Sequence, residues 1–323
     1  ITIEGNPDSL TTERLLTYRA LGINRLSIGL QSANDDILKM LGRVHNDVQF
    51  LAAYEDARKA GFSNINVDIM SGLPGEDRDS YIRTLEQVLQ LCPEHISAYS
   101  LMVEEGTPLA QNKLLLSKIP GEEEDRQRYV LTKELLQQYG YERYEISNYA
   151  KPGSACRHNI VYWTGGEYLG VGLGAASCLT FYGTGRKRQK VRFRGTERME
   201  MYMKYFCSGN RIPEKETVTS MFPEEDFENK ESFLHFLTNT CEEFSFLTQK
   251  DEMEEFMFLG LRMMQGISRT EFRERFRVEL ESVYGPVLQT YRENGLLLEW
   301  DDRLFLSDRG IDVSNVVMAD FFL

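Results

Sequence analysis

The chain has 323 residues, 41% hydrophobic and 27% charged, with 50 acidic against 37 basic side chains and a net charge of −13. That balance suits a globular protein of two or three domains and excludes a general nucleic-acid binder, which neutralises phosphates with clustered Lys and Arg. No apolar run approaches the roughly 20 residues of an integral membrane span. No secretory signal opens the chain, and the five scattered cysteines form no C-x-x-C pair and suggest no disulfide framework, so a reducing, cytoplasmic setting is expected.

In chain order, Ile1 and Ile3 open a strand that ends on Glu4, with Asn6-Pro7 as the turn. Thr11 or Thr12 caps a helix that stops at Gly22. Strand Leu26–Leu30 ends on Gln31, and a loop leads into a helical segment (Ile37, Leu38, Leu41) that closes on Gly42, Arg43 and His45. A helix from Asn46 or Asp47 stops at Gly61, and strand Ile65–Met70 carries Asp68 among apolar residues. A Pro-Gly turn at Pro74-Gly75, a helix presenting Tyr81, Leu85, Val88 and Leu89, strand His95–Leu101, helix Glu122–Tyr139 and strand Tyr141–Ser147 complete this part. Strands alternating with helices predict an α/β fold of right-handed βαβ units, here part of a (β/α) barrel with about five parallel strands.

Several strands end on a polar residue: Glu4, Gln31, Asp68 and, less clearly, Glu145. In parallel α/β folds, ligands bind at the carboxyl ends of strands. A carboxylate, an amide and a second carboxylate there, with Arg43 able to fork onto a carboxylate, suit a zwitterionic or hydroxyl-rich ligand. The alternative is buried polar residues satisfied by neighbouring backbone, with Arg43 solvated.

Residues 147–177 change character. Arg157-His158-Asn159-Ile160-Val161-Tyr162-Trp163 is followed by glycines at 165, 166, 170, 172 and 174 that have no G-x-G-x-x-G register. They read as a close-packed turn before strand Cys178–Tyr182, leaving room for a flat group or another backbone. His158 reads either as a metal or haem ligand or as a hydrogen-bonded structural residue. The basic run Arg186–Arg194 reads as a solvated loop end, with binding of propionates or acidic lipid headgroups as the alternative. From Met199 to Gln249 the pattern is helical and irregular, with a helix start near Pro223 and an insertion over Asn229–Gln249. Three helices, two short strands and a last helix from Ser307 then form a winged-helix pattern. Its 8 basic against 15 acidic residues favour a lid or docking module over a duplex reader.

The motifs taken together resemble the oxygen-independent coproporphyrinogen III oxidase-like radical SAM family, in its haem-chaperone branch. They are E-x-N-P at Glu4–Pro7, R-L-S-I-G-L-Q-S at Arg25–Ser32, L-G-R-x-H at Leu41–His45, D-x-x-x-G-L-P-G at Asp68–Gly75 and H-I-S-x-Y at His95–Tyr99. E-x-G-T at Glu104–Thr107, Y-E-I-S-N at Tyr144–Asn148, and A-K-P-G with R-H-N-x-x-Y-W within Ala150–Trp163 follow in order. The resemblance implies S-adenosylmethionine, with its amino-acid end at Glu4 and Arg43 and its ribose hydroxyls at Gln31 and Asp68. It implies haem at His158, an apo-haemoprotein as recipient, and a winged domain over the open end of the barrel. Residues 1–150 are then a partial radical SAM barrel, 151–250 a linking region carrying H-N-x-x-Y-W, and 251–323 the winged-helix-like domain. Peripheral membrane contact stays open.

One departure from the family pattern bears on activity. The C-x-x-x-C-x-x-C motif that supplies three thiolates to a 4Fe–4S cluster is absent from the 323 residues. The chain is therefore expected to be a family member lacking its first strands, with no metal ligands of that motif and no assigned catalytic residue. Anaerobic oxidative decarboxylation of coproporphyrinogen III and a non-catalytic fragment are the competing readings.

Overall fold

The computed structural model describes residues 1–182, 188–206 and 240–323. The chain forms two compact units, Ile1–Ala155 and Cys156–Leu323. In the first, strands β1 (Thr2–Gly5), β2 (Arg25–Gln31), β3 (Ile65–Ser71), β4 (His95–Ser100), β5 (Glu142–Arg143) and β6 (Asn148–Ala150) make one sheet, ordered β1-β2-β3-β4-β6-β5. The pairings from β1 to β4 are parallel.

Period-two alternation divides this sheet into an apolar and a polar face. Leu26, Ile28, Leu30, Ile65, Val67, Ile69 and Ile96 are buried with Leu15, Phe50, Ala53, Ala57, Tyr81, Leu85 and Val88 from the helices. Each fully buried aliphatic side chain contributes about 1.5–3 kcal/mol. The helices stop and start where their caps dictate. Thr11 accepts from the Arg14 amide, Asn46 and Gln49 form a capping box, and Asp77 accepts from the Ser80 amide. The opposite face carries two rows in register, Glu4–Ser27–Asn66–His95 and Gly29–Asp68–Ser97–Asn148.

The expected fifth parallel strand over Tyr141–Ser147 does not form. Tyr141 is buried with its hydroxyl donating to the Pro93 carbonyl at 2.6 Å. Four residues on, the buried Glu145 carboxylate accepts from the Ser147 amide at 2.8 Å and from the Asn148 side chain. That staple reverses the chain, so β6 returns antiparallel to β4 with the two-residue β5 beside it. Glu145 therefore holds a turn and not the mouth of a barrel.

The second unit opens with a helix, Arg157–Trp163, and continues with strands β7 (Ala176–Tyr182), β8 (Arg188–Gly195) and β9 (Cys241–Leu247), antiparallel in the order β7-β8-β9. The basic run is thus the central strand of a sheet over Arg188–Arg194, contrary to the loop expected there. Arg188 meets Glu252 at 2.8 Å and Arg192 meets Glu255 at 2.7 Å, while the Lys190 ammonium donates to the Gly165 carbonyl at 2.8 Å. Helix Met199–Phe206 follows the helical expectation, and β9 replaces the end of the expected insertion. The rest of that insertion, the helix start at Pro223 and Cys207 lie outside the described residues.

The winged-helix pattern is present: helix Gln249–Gly260, β10 (Ile267–Ser268), helices Arg269–Phe276 and Leu280–Glu293, and the hairpin β11 (Leu297–Trp300) and β12 (Arg303–Leu306). Two short helices, Asp308–Asp312 and Ser314–Ala319, close it. Phe256, Phe272, Phe276, Tyr284 and Phe321 pack ring against ring, with centroids 4.8 to 6.1 Å apart. No helix among the described residues is long and apolar enough to cross a membrane.

Candidate functional site

The polar face of the first unit gathers three of the five candidate residues most closely. Gln31 is the last residue of β2 and holds φ at +70°, in the left-handed region that disfavours side chains. The pairing of β2 with β3 slips by one residue between Gly29 and Gln31, a bulge that re-aims the strand end. Gln31 then folds back over Gly29, where a Cβ would lie 2.7 Å from its Nε2. The same point lies 3.8 Å from Asn6 Oδ1, which accepts from Arg43 Nη1 at 3.4 Å. Asp68 stands opposite Gly29 in register. It sits in the middle of β3, not at its end as expected. Gln31, Arg43 and Asp68 are thus brought to one place by β2, β3 and the loop after helix Asp35–Met40. Glu4 lies in the adjoining row, exposed, opposite Ser27.

Beneath Asp68 lies a network whose residues had been given no role. Ser27 Oγ donates to Asp68 Oδ2 at 3.2 Å. The Asn66 amide nitrogen donates to Asp68 Oδ1 at 2.8 Å and to Ser27 Oγ at 2.7 Å. His95 Nδ1 and Ser97 Oγ meet the Asn66 carbonyl oxygen at 2.6 and 3.1 Å, and the Tyr144 hydroxyl meets His95 Nε2 at 2.9 Å. Burial, aided by the Glu4 charge, raises the Asp68 carboxyl above its ordinary range, against hydrogen bonds from Asn66 and Ser27 that lower it. Burial, with the Arg25 cation nearby, pushes the His95 imidazole down to about 3, so the ring is neutral. A signal was available: I-N-V-D and H-I-S alternate polar with apolar, placing Asn66 with Asp68 and His95 with Ser97.

His158 belongs to the second unit, exposed on the first turn of helix Arg157–Trp163. Its Nε2 is 3.0 Å from the Tyr162 hydroxyl, and Tyr162 stacks edge-on against Tyr168 with centroids 4.5 Å apart. Arg262 lies over Trp163 at 4.3 Å. Nearby, a cavity of about 230 Å³ is lined by Tyr162, Trp163, Tyr168, Cys178, Arg192 and Glu255, among others.

Residues 1–88 match the radical SAM superfamily and residues 247–313 match the HemN C-terminal domain. The chain is 29% identical to the heme chaperone HemW of Lactococcus lactis, over 100% of this chain and 75% of that protein. With the heme chaperone HemW of Bacillus subtilis the identity is 31%, over 99% of this chain and 75% of the relative. The chain belongs to the HemW family of radical SAM proteins. Among solved structures, the coproporphyrinogen III oxidase HemN of Escherichia coli matches with a TM-score of 0.74 at 19% identity, over 100% of this chain and 69% of that one, which shows a common fold.

Membership of the HemW family implies S-adenosylmethionine and a 4Fe–4S cluster, and the two fit these residues differently. The space over Gly29, which a Cβ would fill, lies beside an amide and opposite a carboxylate, a donor set suited to a ribose diol. Cluster ligation does not fit. Cys92, Cys156, Cys178 and Cys241 are separate free thiols, and among the described residues no three His, Cys, Asp or Glu side chains are grouped to hold a metal.

Proposed function

We propose that this HemW-family chain holds S-adenosylmethionine on the polar face of its first unit and takes up haem at His158 for delivery to an apo-haemoprotein. Asp68 and Gln31 take the ribose hydroxyls, Arg43 the carboxylate and Glu4 the ammonium of the methionine end. The observation that supports the first half is the convergence of Gln31, Asp68 and the Asn6-linked Arg43 about Gly29, whose missing side chain lets the Gln31 amide lie over it. An ionised carboxylate accepts from both hydroxyls of a diol, while the amide donates or accepts as needed.

For haem, the tautomer of His158 matters. With Nε2–H donating to Tyr162, the lone pair on Nδ1 is left for iron; with the Tyr162 hydroxyl donating, Nδ1 carries the proton and cannot ligate. The cavity of about 230 Å³ is smaller than the roughly 300–1,000 Å³ of ordinary ligand pockets. A macrocycle therefore lies against the exposed helix face.

Calorimetric titration of this chain with S-adenosylhomocysteine, which needs no cluster, tests the first half. Asp68→Asn and Arg43→Ala each remove a charge-assisted hydrogen bond of about 1.5–3 kcal/mol, so affinity falls about tenfold or more. Absence of binding, or unchanged affinity in both variants, refutes the assignment. Hemin titration tests the second half: a Soret shift present in the wild type is lost in His158→Ala, and its persistence there removes His158 as the ligand.

A further inference from the structure

The fully buried His95 touches no open space and lies outside the residues assigned to S-adenosylmethionine. We infer that it is a positioning residue, which fixes the Asp68 carboxylate through the Asn66 amide and thereby sets selectivity for a ligand with a vicinal diol. The inference rests on the reading that Asp68 meets ribose hydroxyls.

Asn66 is the hinge of the arrangement. An amide has two N–H donors and two carbonyl lone pairs, and all four are used. The donors go to Asp68 Oδ1 and Ser27 Oγ, and the carbonyl oxygen faces His95 Nδ1 and Ser97 Oγ. The orientation is forced from the Asp68 end, because a flipped amide would turn its oxygen toward a carboxylate. With nitrogen toward Asp68, the Asn66 oxygen can only accept. His95 must therefore carry its proton on Nδ1, and Nε2 is left to accept from the Tyr144 hydroxyl at 2.9 Å. Burial disfavours the imidazolium, and the Asn66 carbonyl decides which neutral tautomer stands.

The dipoles then run in one direction. Tyr144 donates to His95, His95 to Asn66, and Asn66 to Asp68, each bond polarising the next. Ser27 is a second arm, accepting from Asn66 and donating to Asp68 Oδ2. Each carboxylate oxygen accepts from a neutral donor, Oδ1 from Asn66 and Oδ2 from Ser27, which fixes the plane of the carboxylate. If the His95 donor is lost, Asn66 keeps its bonds to Asp68, Ser27 and Ser97, but its carbonyl loses the shortest of its partners and the Asp68 carboxylate is held less rigidly in its plane.

The test compares S-adenosylhomocysteine with its 2′-deoxy analogue by titration calorimetry. Wild type is expected to prefer the ribo ligand. His95→Gln, which cannot place a donor where Nδ1 stood, lowers affinity for the ribo ligand about five- to thirtyfold, the equivalent of a lost buried hydrogen bond. It weakens binding of the 2′-deoxy ligand, which keeps a single hydroxyl for Asp68, by less. His95→Asn, whose side-chain nitrogen can stand near the former Nδ1, restores most of the preference. Equal losses for both ligands mean that His95 is merely structural, and overturn the inference. If Asp68→Asn abolishes the preference while His95→Gln does not, this inference fails and the reading of Asp68 stands. If Asp68→Asn leaves the preference intact, that reading fails and this one with it. Nitrogen-15 NMR of the wild-type imidazole decides the network without any variant: a proton on Nδ1 is expected, and one on Nε2 overturns it.

Discussion

The polar face of β1–β4 and the basic strand β8 dispose of their charged groups in opposite ways. On β8 each cation ends on a protein acceptor: Arg188 on Glu252, Arg192 on Glu255, Arg194 on Glu197 at 2.6 Å and Glu243 at 3.0 Å, and Lys190 on a backbone carbonyl. On the polar face, Asp68 is held by the neutral side chains of Asn66 and Ser27, and its charged neighbour Glu4 is of like sign. The first arrangement closes on itself and builds a sheet; the second holds its carboxyl with neutral hydrogen-bond donors. Residue type alone makes β8 the more conspicuous surface, and pairing shows that its cations are already taken.

The largest expected difference is in response to acid. His95 is pushed down to about 3 in the folded protein from an ordinary 6.5. Between those values the unfolded chain binds a proton that the folded one refuses, so stability falls as pH drops through that window. At pH 4.5 the loss is about 2–3 kcal/mol, at 1.36 kcal/mol per unit. Asp68 acts in the opposite sense. Its raised carboxyl takes a proton before the unfolded chain does, which returns some stability from that raised value down to 3.8. Hydrogen exchange of β2–β4 amides at pH 7 and 4.5 reads the sum, and His95→Asn removes the histidine part. Equal acid sensitivity in wild type and variant contradicts this account.

On the second unit the corresponding perturbation is Glu252→Gln. Glu252 is buried and accepts from both Arg188 at 2.8 Å and Arg275 at 3.1 Å. Breaking a buried pair costs about 3–5 kcal/mol, and the partial exposure of Arg188 brings the expected loss to about 2 kcal/mol. Both tryptophans, Trp163 and Trp300, lie in this unit, so the fluorescence-detected urea transition reports it. An unchanged midpoint means that the ion pairs of β8 do not hold the sheet to its helix.

The same contrast explains what could be read in advance. The strands and helices of the first unit follow from short-range signals: apolar alternation, Thr11 and Asn46 as caps, and glycines at helix ends; the Asp77 cap was not among them. The reversal at Glu145 escaped because it depends on a side chain bonding to backbone two residues on, inside a stretch with good strand propensity. Strand β8 escaped because Glu252 and Glu255, which pair with Arg188 and Arg192, lie some sixty positions later, in helix Gln249–Gly260. Gln31, Arg43, Asp68 and Glu4 were singled out from strand ends and motif resemblance. Asn66 and His95 were not, because their relation exists only once β3 and β4 pair with Asn66 beside His95. Asn6 was read as a turn residue, and its hydrogen bond to Arg43 spans 37 positions.

The smallest expected effect on stability, and the most specific on binding, is that of Gly29→Ala. The added methyl group meets the far end of a flexible side chain, Gln31 Nε2 at 2.7 Å, and not backbone. Gln31 can move aside, so stability changes by about 1 kcal/mol or less. Moving aside takes the amide out of the space opposite Asp68, however, and affinity for S-adenosylhomocysteine falls about tenfold, the worth of one hydrogen bond. Gln31→Gly offers the complement. It relieves a backbone conformation at φ +70° that costs of order 1 kcal/mol for a side chain, so stability holds or rises while binding weakens as in Gly29→Ala. If both variants bind as the wild type does, the amide over Gly29 is packing, and the polar face differs from β8 only in the carboxylate that it leaves unpaired.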